Sequence, residues 1–471
     1  MRRSTRSSLK DILTLAGVKK SREIGERGPL IASRSISEDE KNPELRRFEV
    51  VFGRDSIFTA YELLDYYPRL AEATIKRLAE LQGTRIDAVT EEEPGRIHHE
   101  HRPGGAFFFE QLRAKWGHPE DKELIYYGSV DATPLYLKLF CDYLKRTDNW
   151  NVLNVKVRNK DDCRIILKET FENAVDWIIK RTDKSEYGFI EFQRSNPRGI
   201  ANQVWKDSGD SFFHEDGKSA NHDFPIAAVE VQGYAYDALL GAADVFKRQD
   251  RKDKTKKCIE KAEIIKNNVI NKLWMEDKQY FAIGLDRGKD GKSRQIRIIA
   301  SNPGHLLNSK MLFDPGRIHY KEAIIRKLFS DDLFCASGIR TLGKNEARYN
   351  PGSYHNGSVW PFDNSFIAGG LEKHGFLALA EEVRLRLLRA TAVHGKMAEF
   401  FRGGNGIVPE INTETVRRFN DETGKEVVIE QPPQEIQAWT VTAVFTAKRK
   451  MGERFLRHNK LPCSLLQGSL F

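Results

Sequence analysis

The chain has 471 residues, 40% of them hydrophobic, enough for one large domain or two ordinary ones with a sizeable core. Its net charge of +9 comes from 76 basic and 67 acidic residues spread along the whole length, without the one-sided Lys/Arg clustering interleaved with aromatics that marks nucleic-acid binders. No apolar run is long enough to cross a bilayer, and the five scattered cysteines lack C-x-x-C spacing and read as thiols of a reducing compartment; a cytoplasmic protein with no nucleic-acid or membrane partner is expected.

In chain order, residues 1–47 read as a polar N-terminal arm, whose one apolar stretch, Ile12 to Val18, is too short for a secretory signal. Helical spacing of apolar residues begins near 56–67 and 69–82, with a short candidate near 106–115 and a longer one at 131–146. Leu167, Phe171, Ala174, Val175 and Ile178 share one face of a helix over 165–181. Val231, Tyr234, Ala235, Ala238, Leu239, Ala242 and Phe246 mark the next long one, followed by another over 254–273. Tyr280 to Leu285 reads as a strand ended by Asp286-Arg287-Gly288, a hairpin decorating a loop. A short helix near 302–311 and longer ones near 318–330, 361–374, 376–393 and 434–448 complete the set, and 451–471 forms a C-terminal tail packing through Leu461 to Phe471.

The loops at 83–105, 182–225, 334–360 and 398–433 are long and rich in aromatic, acidic, Asn and Gly residues, and long ordered loops usually carry function. About twelve helices alternating with such loops predict an all-α fold, an (α/α)6 toroid with small β-hairpin decorations, occupying residues 48–450. A helical solenoid is the competitor, but no repeat period is visible and the loops differ from one another.

Three segments carry candidate chemistry. In Trp205-Lys206-Asp207-Ser208-Gly209-Asp210-Ser211, Trp205 is placed to stack on a pyranose ring and to desolvate Asp207 toward a working acid. An Asp/Ser/Gly turn beside a buried Trp is the commoner meaning of that composition. In Ala398-Glu399-Phe400-Phe401-Arg402-Gly403-Gly404, Glu399 follows a helix and precedes a Gly-rich loop, where it is free to orient a water; an exposed residue at a glycine-closed helix end is the plainer reading, and Glu435 is the rival base. In Phe52-Gly53-Arg54-Asp55-Ser56, Arg54 and Asp55 are able to hold two sugar hydroxyls, or else to form a helix cap with an Arg partner. His98, His99 and His101 with Glu100 lack metal-ligand spacing, and neither a Walker loop nor a dinucleotide fingerprint is present, so neither metal nor organic cofactor is expected.

The segments Phe52–Ser56, Glu93–His98, Tyr126–Leu135, Trp205–Ser211, Glu230–Tyr234, Asn302–Leu307, Gly338–Leu342 and Tyr349–Asp363, in this order, resemble the amylo-α-1,6-glucosidase (glycogen-debranching) family of six-hairpin glycosidases. The resemblance implies an inverting α-glucosidase acting on an oligo- or polysaccharide such as an α-glucan, with Asp207 as general acid and Glu399 as general base. It implies Arg54, Asp55, Trp205, Glu230, His355 and Trp360 as substrate contacts. The short N-terminal arm and the charged run Thr413 to Glu430 depart from the family's pattern. Hydrolysis of trehalose or of a glycosyl-glycerate, phosphorolysis, and sugar binding without turnover are the alternatives.

Overall fold

In the computed structural model the described residues are 2–17, 19–26, 28–34, 47–106, 108–118, 122–410, 415–419, 426–430 and 433–458. They include helices α1 (Arg2–Leu15), α2 (Gly53–Glu62), α3 (Pro68–Glu80), α4 (Phe109–Trp116), α5 (Ala132–Thr147) and α6 (Leu167–Lys184). There follow α7 (Val229–Arg248), α8 (Lys252–Asn268), α9 (Ile318–Leu328), α10 (Pro361–Lys373), α11 (Leu377–His394) and α12 (Ala438–His458). The expected short helix near 302–311 is a 3-10 helix, Asn302–Asn308, and the expected end of the 254–273 helix is a π turn, Val269–Leu273.

Burial separates two kinds of helix. In α2 every residue from Gly53 to Ala60 is buried, and α5, α7 and α10 are likewise buried on nearly all sides. A helix buried on nearly every side belongs inside other helices. By contrast α8 buries only Cys258, Ala262 and Ile265, and α9 only Ala323, Ile324, Ile325 and Leu328, the single stripe of a helix with one face in water. The buried elements pack in sequence: α2 on α5, α5 on α7, α7 on the 3-10 helix, that on α10, α10 on α12, and α12 back on α2. Partners with one buried stripe cover them from outside: α3 and α6 lie on α5, α8 on α7, α9 on the 3-10 helix, α11 on α10 and α12, and α1 on α12.

The segment read as a polar arm thus includes a helix, α1, which inserts Ile12 and Leu15 into the main core. Its Arg/Ser-rich composition hid a period that only packing against α12 makes visible. Helix α12 continues into the region read as a tail; Leu461 to Phe471 lie outside the described residues.

Small antiparallel sheets fix the loops at one end. Val51–Phe52 pairs with Glu100–Pro103, which pairs with Glu123–Tyr126. The run Tyr280–Leu285 is two strands: Tyr280–Phe281 pairs with Trp274–Met275, while Gly284–Arg287 lies between Ser293–Ile296 and Ile226–Ala228. Gly53 passes so close to the His98 carbonyl that a Cβ there would overlap its oxygen, so glycine sets how tightly α2 enters from the sheet.

Candidate active site

The N-terminal ends of α2, α5, α7, the 3-10 helix, α10 and α12 carry the polar residues that meet at one end of the buried helices. Arg54 and Asp55 open α2, Asp131 precedes α5, Glu230 opens α7, Asn302 begins the 3-10 helix, Asp363 opens α10, and Gln437 precedes α12. Helix N-termini favour negative charge, and this end is rich in carboxylates. A cavity of about 410 Å³ opens there, lined by Arg54, Asp55, Trp205, Asp207, Tyr354, His355, Trp360, Glu399, Gln437 and Trp439 among others.

Glu399 stands four residues beyond the end of α11 at Gly395, whose φ of 73° closes the helix in the left-handed conformation. Its backbone N–H donates to Gln434 O at 3.0 Å, which docks the loop on the segment entering α12. Its side chain is buried; Oε1 accepts from the Tyr354 hydroxyl at 2.6 Å and Oε2 from Gln434 N at 3.2 Å. Burial pushes this carboxyl up to about 7, against the pull of those two hydrogen bonds; the negative neighbours Asp55 and Asp207 act in the same direction as burial. The rival base, Glu435, pairs with Lys396 Nζ at 2.5 Å and is not part of the cavity wall.

Asp207 has 28% of its side chain exposed, and its Oδ2 accepts from Arg54 Nη2 at 3.1 Å. The other arm of that guanidinium, Nη1, donates to Asp131 Oδ2 at 3.0 Å and Oδ1 at 3.3 Å. Burial opposes the Arg54 charge, but Asp131, Asp207 and Asp55 push its pKa up. Burial raises Asp55 itself to about 7 despite Arg54 beside it, and its Oδ1 accepts from Gln437 Nε2 at 3.1 Å.

The aromatic residues form a layer rather than an open platform. Trp205 is 1% exposed, parallel to the His305 ring at 5.9 Å, with its faces and edges against His355, Trp360 and Phe362. Trp360 stacks between His355, at 4.9 Å, and Phe400, at 5.4 Å. His355 Nδ1 meets Ser208 Oγ at 2.8 Å and accepts from Ser208 N at 3.4 Å, so its other nitrogen carries the proton when the ring is neutral. Glu230, expected as a substrate contact, lies beneath this layer with no exposed surface. Asn302 Nδ2 donates to its Oε1 at 3.0 Å, burial raises it to about 7, and it is not part of the cavity wall. Lys206 also points away from the cavity, where burial lowers its amine to about 8; it donates to Thr341 O between Glu230 and Asp363.

Of the residues singled out from sequence, Arg54, Asp55, Trp205, Asp207, His355, Trp360 and Glu399 therefore share one cavity, and Glu230 supports it from behind. Tyr354, Gln434, Gln437 and Asp131 complete the polar frame. Asp131 and Tyr354 had stood inside candidate motifs, but nothing local signalled that they bind Arg54 and Glu399. The exposed Lys115, Arg194 and Arg198 also line the cavity, on surface segments whose charges carry no pattern in sequence. Among the described residues no group of three or more His, Cys, Asp or Glu side chains is arranged to hold a metal ion. A second hollow of about 760 Å³ lies against Arg340, Arg386 and the 404–409 loop, with Asp331 as its one carboxylate among the described residues, and so lacks an acid and base pair.

A cavity of this size holding separate carboxylates over an aromatic floor, at one end of packed helices, has the parts that acetal hydrolysis by a carboxyl pair requires, as in the glycoside hydrolase class. Residues 165–408, just over half of the chain, match the family model of the mannosylglycerate hydrolase MGH1-like glycoside hydrolase domain, and the chain belongs to that family. The crystal structure of a GH63 mannosylglycerate hydrolase from Thermus thermophilus in complex with Tris has a similar fold. Its TM-score is 0.52 at 11% identity, covering 95% of this chain and 99% of that one. None of the curated proteins compared with the chain matches it. These findings support a glycoside hydrolase with a carbohydrate substrate and give no support to glycogen debranching in particular. No helix among the described residues is long and apolar enough to cross a membrane.

Proposed function

We propose that the chain is an inverting glycoside hydrolase of the (α/α)6-toroid type that releases a terminal α-linked sugar from a small anionic aglycone of the glycerate kind. The unit that carries this activity is residues 48–450, in the cytoplasm, with α1 of the 1–47 segment packed onto it as part of the same core and α12 running on past its end. The cyclic packing of the buried helices supports the toroid. The observation that carries the reading is the unlike pair Asp207 and Glu399 in one cavity. Asp207 is reachable by solvent and leaving group, whereas Glu399 is buried and oriented by Tyr354 and Gln434.

In this mechanism Asp207 protonates the glycosidic oxygen as the bond to the anomeric carbon breaks. Glu399 takes a proton from a water that attacks the opposite face. Arg54, Asp55, His355 and the edge of Trp360 hold the sugar, while Trp205 and Glu230 keep the floor rigid. A neutral glucan chain has no use for the basic wall of Lys115, Arg194 and Arg198, whereas a carboxylate-bearing aglycone does. The match to a mannosylglycerate hydrolase-like domain points the same way. The α-1,6-glucosidase reading rests on motif likeness alone.

The test is hydrolysis of α-mannosyl- and α-glucosyl-glycerate beside trehalose, methyl α-glycosides and branched dextrin, with the released anomer followed by proton NMR. The expected result is preferential cleavage of the glycerate compounds with the β-anomer appearing first. An α-anomer first, or faster cleavage of the neutral glycosides, would overturn it.

A further inference from the structure

The pairing of Arg54 with Asp207 raises a problem that the proposed reaction must solve. A general acid has to carry a proton when the substrate is in place. Yet Asp207 lies 3.1 Å from a guanidinium, a neighbour that favours the ionised carboxylate. The guanidinium itself cannot move away, because Nη1 is anchored on Asp131, which has no exposed surface and is held in turn by Ser129 Oγ. Arg54 is only 3% exposed and opens α2, so its backbone is fixed by the helix and by the Gly53 N–H bond to His99 O at 2.9 Å. Asp207, on a loop and 28% exposed, is the member of the pair that a ligand reaches.

We propose that Arg54 is a positioning residue that holds Asp207 as a carboxylate in the empty site and releases it to take up a proton when a sugar hydroxyl replaces it on Nη2. The inference rests on the hydrolase reading, since it concerns the acid of that reaction. Binding then has two linked effects. The neutral hydroxyl accepts from Nη2 in place of Asp207 Oδ2, and the freed carboxyl takes up one proton from solvent before the sugar covers it and cuts it off from bulk water. The proton bound at this stage is the one later passed to the glycosidic oxygen, so the cycle balances. Arg54 Nε, buried and without a hydrogen-bond partner in the empty site, leaves the guanidinium with donor capacity to spare. In this way an unoccupied site does not keep a protonated acid opposite its base.

The titratable and charged groups around the pair come from several elements: Asp55 on α2, Asp131 before α5, His99 beside the Glu100–Pro103 strand, Tyr354 and His355 before α10, and Glu399 after α11. Of these, Asp55 and Glu399 also titrate near neutrality, so the readout has to be specific to Asp207.

The experiment labels carboxyls with a carbodiimide and an amine, which modifies the protonated form, and reads Asp207 by peptide mass spectrometry from pH 3 to 8 in the ligand-free protein. In the wild type, labelling of Asp207 is expected only at the acid end. In Arg54→Gln its midpoint is expected to rise by roughly one pH unit or more. Arg54→Lys, which keeps a charge but cannot fork between Asp131 and Asp207, guards against a misfolded glutamine variant and should give an intermediate midpoint. For a glycoside that is cleaved, the acid limb of kcat/KM, which reports the more acidic of the two carboxyls in the free enzyme, should move up in Arg54→Lys. An Asp207 midpoint that neither variant changes overturns the proposal, as does an acid limb of kcat/KM that stays in place in Arg54→Lys. Absence of turnover on every glycoside would sink the hydrolase reading, while the labelling result still decides the role of Arg54.

Discussion

Replacing Glu399 with Gln tests the site through stability as well as activity. Burial raises the Glu399 carboxyl from 4.5 to about 7, so the folded chain binds a proton more tightly there than the unfolded chain does. Stability from this group is full below pH 4.5 and is lost as pH rises through about 7, where folding must bury an anion. At about 1.36 kcal/mol per pH unit, the gap between those values amounts to roughly 3 kcal/mol above pH 7. Glutamine removes that cost. Its carbonyl oxygen still accepts from Tyr354, but its amide faces the Gln434 N–H as one donor against another, a loss of about 1 kcal/mol. Glu399→Gln should therefore be slightly less stable than the wild type at pH 4.5 and about 2 kcal/mol more stable at pH 8. For a chain of 471 residues the unfolding entropy is about 1 kcal/mol per kelvin, which makes the gain about 2 °C in Tm. Scanning calorimetry of both proteins from pH 4.5 to 8.5 measures it, with turnover falling ~10²–10⁴-fold in the same variant. A Tm difference that does not change with pH, or one that favours the wild type at pH 8, would refute the account of Glu399 as a buried, proton-binding base.

Asp207→Asn should lose activity by ~10²–10⁴-fold while circular dichroism and Tm stay near those of the wild type, because the exposed amide still accepts from Arg54 Nη2; turnover within tenfold of wild type would remove Asp207 from the acid role. Gly53→Ala drives a methyl into the His98 carbonyl and should cost about 3 kcal/mol, read as a lowered midpoint in urea unfolding; an unchanged midpoint would mean the α2 entry relaxes freely.

Much of the fold is readable without coordinates, because helical spacing is a local property. The face carried by Leu167, Phe171 and Ala174 returns as buried positions of α6, and the run from Val231 to Phe246 as the buried body of α7. The α1 helix was not readable, since its anchors Ile12 and Leu15 lie in a single short apolar stretch after an Arg/Ser-rich start and gain meaning only against α12. Similarly, Tyr280 to Leu285 splits into two strands with different partners, a choice made by the neighbouring segments rather than by the run itself.

For the site, the residue types and their placement were legible, Arg54, Asp55 and Trp360 at helix starts and Asp207 in a long loop, because acidic and aromatic clusters leave a compositional mark. Which partners they choose was not. Arg54 meets Asp131 across 77 positions and Asp207 across 153, and Glu399 rather than Glu435 faces the cavity because Glu435 turns to Lys396. Glu230 sits behind the aromatic layer although its motif stands beside the others in the chain. Apart from α1, sequence alone determined where the long helices fall and which loops carry charge, since both follow from interactions within a few residues. Only the tertiary structure decided which side of each loop turns inward, and therefore which carboxyls lose water, because desolvation depends on neighbours brought together from the whole length of the chain.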